Sequence, residues 1–222
     1  MVTVSRYLSL SSYVTIALMA KKPYHHGDLR AALLGALKHL VAEKGIESLS
    51  LRECARRAGV SWSAPGHHFG DKTGMLTAFA IEGFTHLKSH MERRRDEVPD
   101  PLQGSAAVGL GYLEFALKNP EYFRVMFRAE LLNERDPAYQ AANSAAFGVL
   151  EQSIRACRQG RPDAHLPQIC LLAWSSVHGF ATLVLEGAIP QLTRSRKLRL
   201  TEGMELGREL ILLLGPSLFG GA

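Results

Sequence analysis

From Tyr24 onward the apolar positions recur with helical spacing. Leu29, Leu33, Ala36, Leu37, Leu40 and Val41 follow the i, i+3, i+4, i+7 template of an amphipathic helix, and Gly45 supplies a C-terminal stop, so the pattern predicts a first helix over 28–44. In "SLRECARRAG", Ser50 and Glu53 have the S-x-x-E spacing of a capping box, in which each side chain satisfies a backbone donor of the other residue. Leu51, Cys54, Ala55 and Ala58 form the apolar stripe of this short second helix, and Gly59 closes it. Ser61 is a candidate cap for a third helix. Pro65 and Gly66 argue against that helix, because Pro disfavours helix at the residue before it and Gly costs about 1 kcal/mol relative to Ala. "SWSAPGHHFGDK" therefore reads either as loop or as a short helix with 3₁₀ character. Asp71 caps a fourth helix with Leu76, Phe79, Ala80, Gly83, Leu87 and Met91 on one face. It ends in "RRRDE" before Pro99 and Pro101, which read as a hinge between regions. Further helices are predicted over 104–118, 120–132, 137–159, 166–187 and 202–214, punctuated by Asn119-Pro120, Arg161-Pro162 and Ile189-Pro190. No segment alternates as a strand would, so the expected fold class is all-α.

The first 22 residues stand apart. "SRYLSLSSYVTIALMA" has no helical period, and its apolar run is interrupted by Ser and lacks a small-x-small cleavage site. It is too short to span a membrane. The expectation is a disordered tail over 1–21, or upstream sequence ahead of a true start at Met19.

Charge sharpens the picture. The net charge is +5, and all of it lies in the first half: residues 1–98 hold 14 Lys/Arg against 9 Asp/Glu, while residues 99–222 hold 12 of each. Seven of the nine His are also in the first half. A polyanionic partner, if the surplus is more than a solvated face, should dock there. The three Cys, at 54, 157 and 170, match no metal-ligand spacing and read as reduced thiols of a cytoplasmic protein.

Three short helices with a Gly-bearing turn between the second and third make a helix-turn-helix pattern. Such a unit needs small residues where the helices cross (Ala55, Ala58), a residue tolerating positive φ in the turn (Gly59), and short polar groups that can reach base edges (Ser61, Ser63, His67). The stretch "YHHGDLRAALLGALKHLVAEKGIESLSLRECARRAGVSWSAPGHHFGDKTGML" resembles the DNA-binding domain of TetR-type transcriptional regulators. "AWSSVHGFATL", Ala173 to Leu183, resembles the Trp-x-x-x-His-Gly segment of a regulator subgroup named for that motif, and "ALKNPEYFRVMF" is similar to its mid-domain stretch.

The resemblance implies a homodimer on double-stranded operator DNA. Its head would span 22–70, and a helical ligand-binding and dimerisation core would span 71–222. Ser50 and Arg52 would contact phosphate, as would Lys72. Ser61, Trp62 and Ser63 would begin the recognition helix and enter the major groove with His67 and His68, and Phe69 would pack that helix on the core. Two positions depart from the family pattern. Gly66 stands where the family usually carries Tyr, which should loosen the recognition helix. Gly74 stands where Glu often completes a capping box with Asp71, which should leave that helix start less firmly fixed.

Other candidates carry plainer alternatives. Trp62 reads equally as a groove contact or as packing within the head. Arg56 and Arg57 read as a solvated face, and Arg93, Arg94 and Arg95 as cations complementing a helix C-terminus. His86 and His90 have a metal-compatible i, i+4 spacing but no third ligand nearby in sequence, so no metal is expected. Trp174 and His178 share a helix face. With Tyr112, Phe123 and Phe127 they are candidates to line a pocket for a small apolar or aromatic effector, or simply to fill core. Leu183, Val184, Leu206, Leu210 and Leu213 are candidates for a dimer seam. No nucleophile elbow, P-loop, dinucleotide fingerprint or zinc-protease motif occurs, so neither catalysis nor a cofactor is expected. The expected function is a repressor released from its operator by a small molecule. The alternative is a helical small-molecule-binding protein whose head has weakened or lost DNA binding through Gly66.

Overall fold

The computed structural model describes residues 26–158, 164–189 and 199–219, with side chains described from 29 to 215 within them. The expected N-terminal tail lies outside these residues, as do Arg161-Pro162 and Pro190.

Among the described residues the helices are α1 (His26–Lys44), α2 (Leu51–Ala58), α3 (Ala64–Phe69), α4 (Lys72–Asp96), α5 (Pro101–Lys118), α6 (Pro120–Met126), α7 (Pro137–Cys157), α8 (Leu166–Leu185) and α9 (Leu200–Phe219), with one 3₁₀ turn at Ala129–Leu131. No strand occurs among them, so the all-α expectation holds. The periodic positions are the buried ones. Leu33, Leu37, Leu40 and Val41 of α1 and Leu76, Phe79, Ala80, Leu87 and Met91 of α4 belong to one continuous apolar cluster that runs from α1 to α9. α1 packs on α2 and α6, α2 on α3, and α3 on α4, which continues between α5, α6 and α7.

Three local outcomes differ from the sequence pattern. Pro99 and Pro101 do not open a hinge. Asp100 caps α5, its carboxylate accepting from the Gln103 N–H at 2.8 Å, and α5 folds straight back along α4. A side chain at Gly111 would lie 2.8 Å from the His90 carbonyl, so the glycine lets the two backbones meet. The Arg93–Arg95 run serves ion pairs rather than the helix end alone. Glu114, buried on α5, receives Arg94 at 2.9 Å and Lys118 at 2.6 Å, with Arg93 at 3.7 Å. Burial alone would raise the Glu114 pKa, but the Lys118 and Arg94 hydrogen bonds and charges outweigh it and hold the carboxyl below its usual range. Finally, the predicted helix 120–132 breaks after Met126. The chain turns there so that Leu132 is buried and the Asn133 N–H donates to Thr77 Oγ1 on α4 at 2.9 Å, a tertiary contact that overrides a continuing apolar period.

Candidate nucleic-acid interface and internal cavity

The turn between α2 and α3 is built as its residue types require. The Ser50 hydroxyl oxygen accepts from the Glu53 N–H at 3.2 Å and caps α2. The reciprocal half of the capping box is replaced, because the Glu53 carboxylate pairs with Lys44 and, at 3.7 Å, with Arg56. Gly59 closes α2 at φ 68°, a left-handed conformation that a side chain disfavours, and its N–H returns to the Ala55 and Arg56 carbonyls. Cys54 and Ala55 are buried beneath the crossing.

α3 forms despite Pro65 and Gly66. Ser61 starts the turn: its carbonyl accepts from Ala64 N–H at 3.0 Å, and its hydroxyl takes the Ser63 N–H at 3.4 Å and lies 3.0 Å from the Ser63 hydroxyl. Pro65 then falls in the first helical turn, where a missing N–H removes no intrahelical bond. Ala64 and Pro65 face the core and Phe69 packs against it, with the Arg30 guanidinium 5.6 Å from the ring centroid. Trp62 is 73% exposed, so it does not pack within the head. Ser61, Gly66, His67 and His68 are also exposed and Ser63 is half-buried. The chain from Ser61 to His68 is thus presented outward from an anchored base.

The cations around this segment divide into two groups. Arg52 and Arg56 are exposed, and among the described residues Arg52 has no ion pair. Arg57 is exposed, as expected, and at the surface it is held by Glu43 through two bonds of 2.5 and 2.6 Å. The Lys72 ammonium is half-buried and donates to the Ile46 carbonyl at 3.3 Å, tying α4 to the turn between α1 and α2. Asp71 caps α4 through the Gly74 N–H at 2.7 Å. That start is firmly set, contrary to expectation: a side chain at Gly74 would place its first carbon 2.0 Å from the Phe69 carbonyl oxygen.

Behind the head, α4, α5, α7, α8 and α9 line a cavity of about 1210 Å³ that is partly open to solvent. Of the five candidate pocket residues, Tyr112, Phe127 and Trp174 line it, together with Phe84 and Phe147. Phe123 and His178 do not line it but belong to the same aromatic cluster: the His178 ring centroid lies 5.1 Å from that of Phe123, 4.6 Å from Phe127 and 5.7 Å from Trp174. Trp174 Nε1 donates to the Tyr112 hydroxyl at 3.4 Å, and that hydroxyl lies 2.7 Å from His178 Nδ1. An indole N–H only donates, so we assign the phenol proton to the bond with Nδ1 of a neutral imidazole. Burial pushes the His178 pKa below its ordinary value and the Tyr112 pKa above its own, in keeping with that assignment. His86 and His90 do not converge on a common point: His90 Nδ1 lies 2.9 Å from the His86 carbonyl, and the rings pack on Tyr122 and Phe115. Among the described residues no group of three His, Cys, Asp or Glu is placed to hold a metal.

The head is also joined to the core through α6. Lys38 on α1 donates to Asn119 Oδ1 at 3.4 Å and stands 5.0 Å over the Tyr122 ring, and the Tyr122 hydroxyl donates to Glu82 at 2.7 Å. Sequence reasoning missed this junction, since no local pattern relates residues 38, 82 and 122. It missed Arg208 for the same reason; that side chain, on α9, lines the cavity.

Comparison with known proteins matches both halves. Residues 33–79 fit the family described as bacterial regulatory proteins, tetR family, and residues 105–205 fit the tetracyclin repressor-like C-terminal domain. A protein of unknown function from Rhodococcus sp. RHA1 is 27% identical and superposes with a TM-score of 0.72 over 90% of this chain and 98% of its own. The TetR family regulator PfmR of Thermus thermophilus (21%, TM-score 0.62, 86% and 95%) and the fatty acid degradation regulator FadR of Bacillus halodurans (12%, 0.63, 86% and 98%) share the fold. With an outward-facing helix-turn-helix, an all-helical core and two matched family domains in the right order, the chain belongs to the TetR family of DNA-binding transcriptional regulators.

Proposed function

We propose that this regulator is a homodimeric repressor that leaves its operator when a small molecule enters the cavity behind the head. The observation that carries the reading is the course of α4. Its first residue bonds to the head through Ile46, and further along, Phe84, Leu87 and Met91 form a wall of the cavity. A ligand that binds better when that wall is displaced shifts the head by its differential affinity for the two states. In this reading the head spans 22–70 and the core 71–222, and the Trp174-His178-Gly179 segment supports membership of the subgroup named for that motif. Ser61, Trp62, Ser63, His67 and His68 read the major groove, while Ser50, Arg52 and Lys72 hold phosphates. Ser50 Oγ accepts its cap bond and keeps its own proton to donate. The polar groups of the cavity orient a ligand rather than transform it, so no catalysis is assigned. Such a regulator works in the cytoplasm, alongside bacterial DNA.

α8 has the length and apolarity of a membrane span, but Cys170, Val177, Ala181 and Val184 bury one side of it in the bundle. Its outward leucines are assigned to a dimer face. Genome-wide footprinting with the purified protein, followed by release of the best fragment by small molecules, tests the proposal. Arg52→Ala should weaken binding to every sequence and reduce the salt slope of log K by about one. No retention of duplex at low salt, or an unchanged slope, overturns the assignment.

A further inference from the structure

The cavity carries more than a volume. Among the described residues its walls hold two ionic side chains, Glu151 on α7 and Arg208, exposed at the rim, on α9. Glu151 is already matched, receiving Arg155 Nε at 3.0 Å and Nη2 at 2.7 Å. Arg208 has no ion pair among the described residues. Its place along the cavity follows from packing: Gly207 lies against Leu113 and Ile211 against Gly109, so α9 runs antiparallel to α5 and Arg208 stands level with Tyr112. From that level the α5 wall continues through Leu110, Ala106 and Leu102 toward the corner between α4 and α5. Ten residues of helix make that wall about 15 Å long.

We infer that the effector is an elongated amphiphile with one anionic head, a carboxylate or a phosphate, taken by Arg208, and an unbranched apolar body lying along α5 toward Leu102. The inference rests on the effector-cavity reading above. A guanidinium offers a planar fork of donors to an oxyanion. Glu151, already neutralised, adds no second cation-seeking site, and a cationic head would meet Arg208 as a like charge. The volume of about 1210 Å³ has room for such a body.

Tryptophan fluorescence provides the test. The chain has two Trp, so full-length Trp62→Phe leaves Trp174, in the cavity wall, as the reporter. The probes are decanoate, decanol and decyltrimethylammonium. Decanoate should bind at least about tenfold tighter than either of the others, since a hydrogen bond to a charged group is worth that much. Dodecanoate should gain a further factor of about ten for two buried methylenes. Arg208→Gln should erase the advantage of decanoate while leaving decanol unchanged, and Arg208→Lys should restore part of it. Equal binding of decanoate and decanol overturns the anionic head and leaves the effector cavity standing. Binding of none of the probes, where the parent protein with Trp62 in place retains DNA and Trp62→Phe keeps its helical content, overturns both. An advantage that survives Arg208→Gln, or a variant that lowers all three affinities alike, removes Arg208 as the head's partner; sedimentation of that variant shows whether Arg208 serves the dimer contact instead.

Discussion

Gly66 and Gly74 both depart from the pattern that this chain's head otherwise resembles, and the structure gives them opposite meanings. Gly66 sits on the exposed side of α3 with no atom within 4 Å of where a side chain would begin, and its φ is not positive. Nothing in the packing demands glycine there, so Gly66→Ala should stabilise the head by up to roughly 1 kcal/mol. Gly74 closes onto the Phe69 carbonyl at the turn between α3 and α4, and Gly74→Ala should destabilise by about 1–3 kcal/mol through the forced shift of backbone. Urea unfolding of the two variants beside the parent protein checks the pair; shifts of the same sign would contradict the geometry. The sequence marks both residues as unusual but cannot distinguish them, because what separates them is a distance across a turn. Trp62 is a similar case. Its neighbours in sequence fit a core aromatic as well as an exposed one, and the anchoring of Ala64 and Pro65 turns it outward.

At the scale of elements, helix periodicity made nearly every helix readable, and most buried positions of α1 and α4 follow their apolar stripes. What periodicity could not reveal is how elements lock to one another. The break after Met126, the Lys38 junction and the Glu114 cluster all join residues far apart in sequence. The aromatic cluster joining α5, α6 and α8 lies between these cases: its five residues were identifiable by type, but the bond from Tyr112 to His178 was not. That bond has a consequence for acid stability. The folded-state pKa of His178 lies below its ordinary value of 6.5 because of burial. As pH falls through about 6.5 the unfolded chain takes up a proton that the folded chain refuses, so stability declines toward the lower folded pKa. Above that window His178 contributes no slope. His178→Gln keeps an acceptor for the Tyr112 hydroxyl and removes the titration, so its melting temperature should change less between pH 7 and pH 5 than that of the parent protein. A parallel pH dependence in calorimetry would show that the imidazole is not held neutral in the fold.

For the whole molecule, the proposed homodimer raises the question of how one head would become two at a fixed spacing. The leucines named from the sequence as a seam prove mixed once folded: Leu183 and Leu213 are exposed, Leu206 and Leu210 are half-buried, and Val184 turns inward beside Gly203. Composition could not sort them, because α8 and α9 carry apolar side chains on more than one side and only the bundle decides which are covered. The exposed set gains Leu171, Leu172 and Leu212, so the two helices share an uncovered apolar face in which Leu213 is 75% exposed. A monomer gains nothing by showing such a face to water, whereas in the proposed homodimer a two-fold pairing of α8 and α9 with their copies would cover it. The double variant Leu172→Glu, Leu213→Glu therefore leaves the cavity, the head and the helical content intact and should sediment as a monomer. Its affinity for a palindromic operator should fall by about 10²–10⁴, the loss expected when a second head is no longer tethered, while binding to an isolated half-site stays as it was. A variant that remains dimeric, or a monomer that grips the full operator undiminished, would place the pairing surface elsewhere. It would also sever the link from cavity to operator, since the head separation that α4 controls has meaning only when two heads are held on one axis.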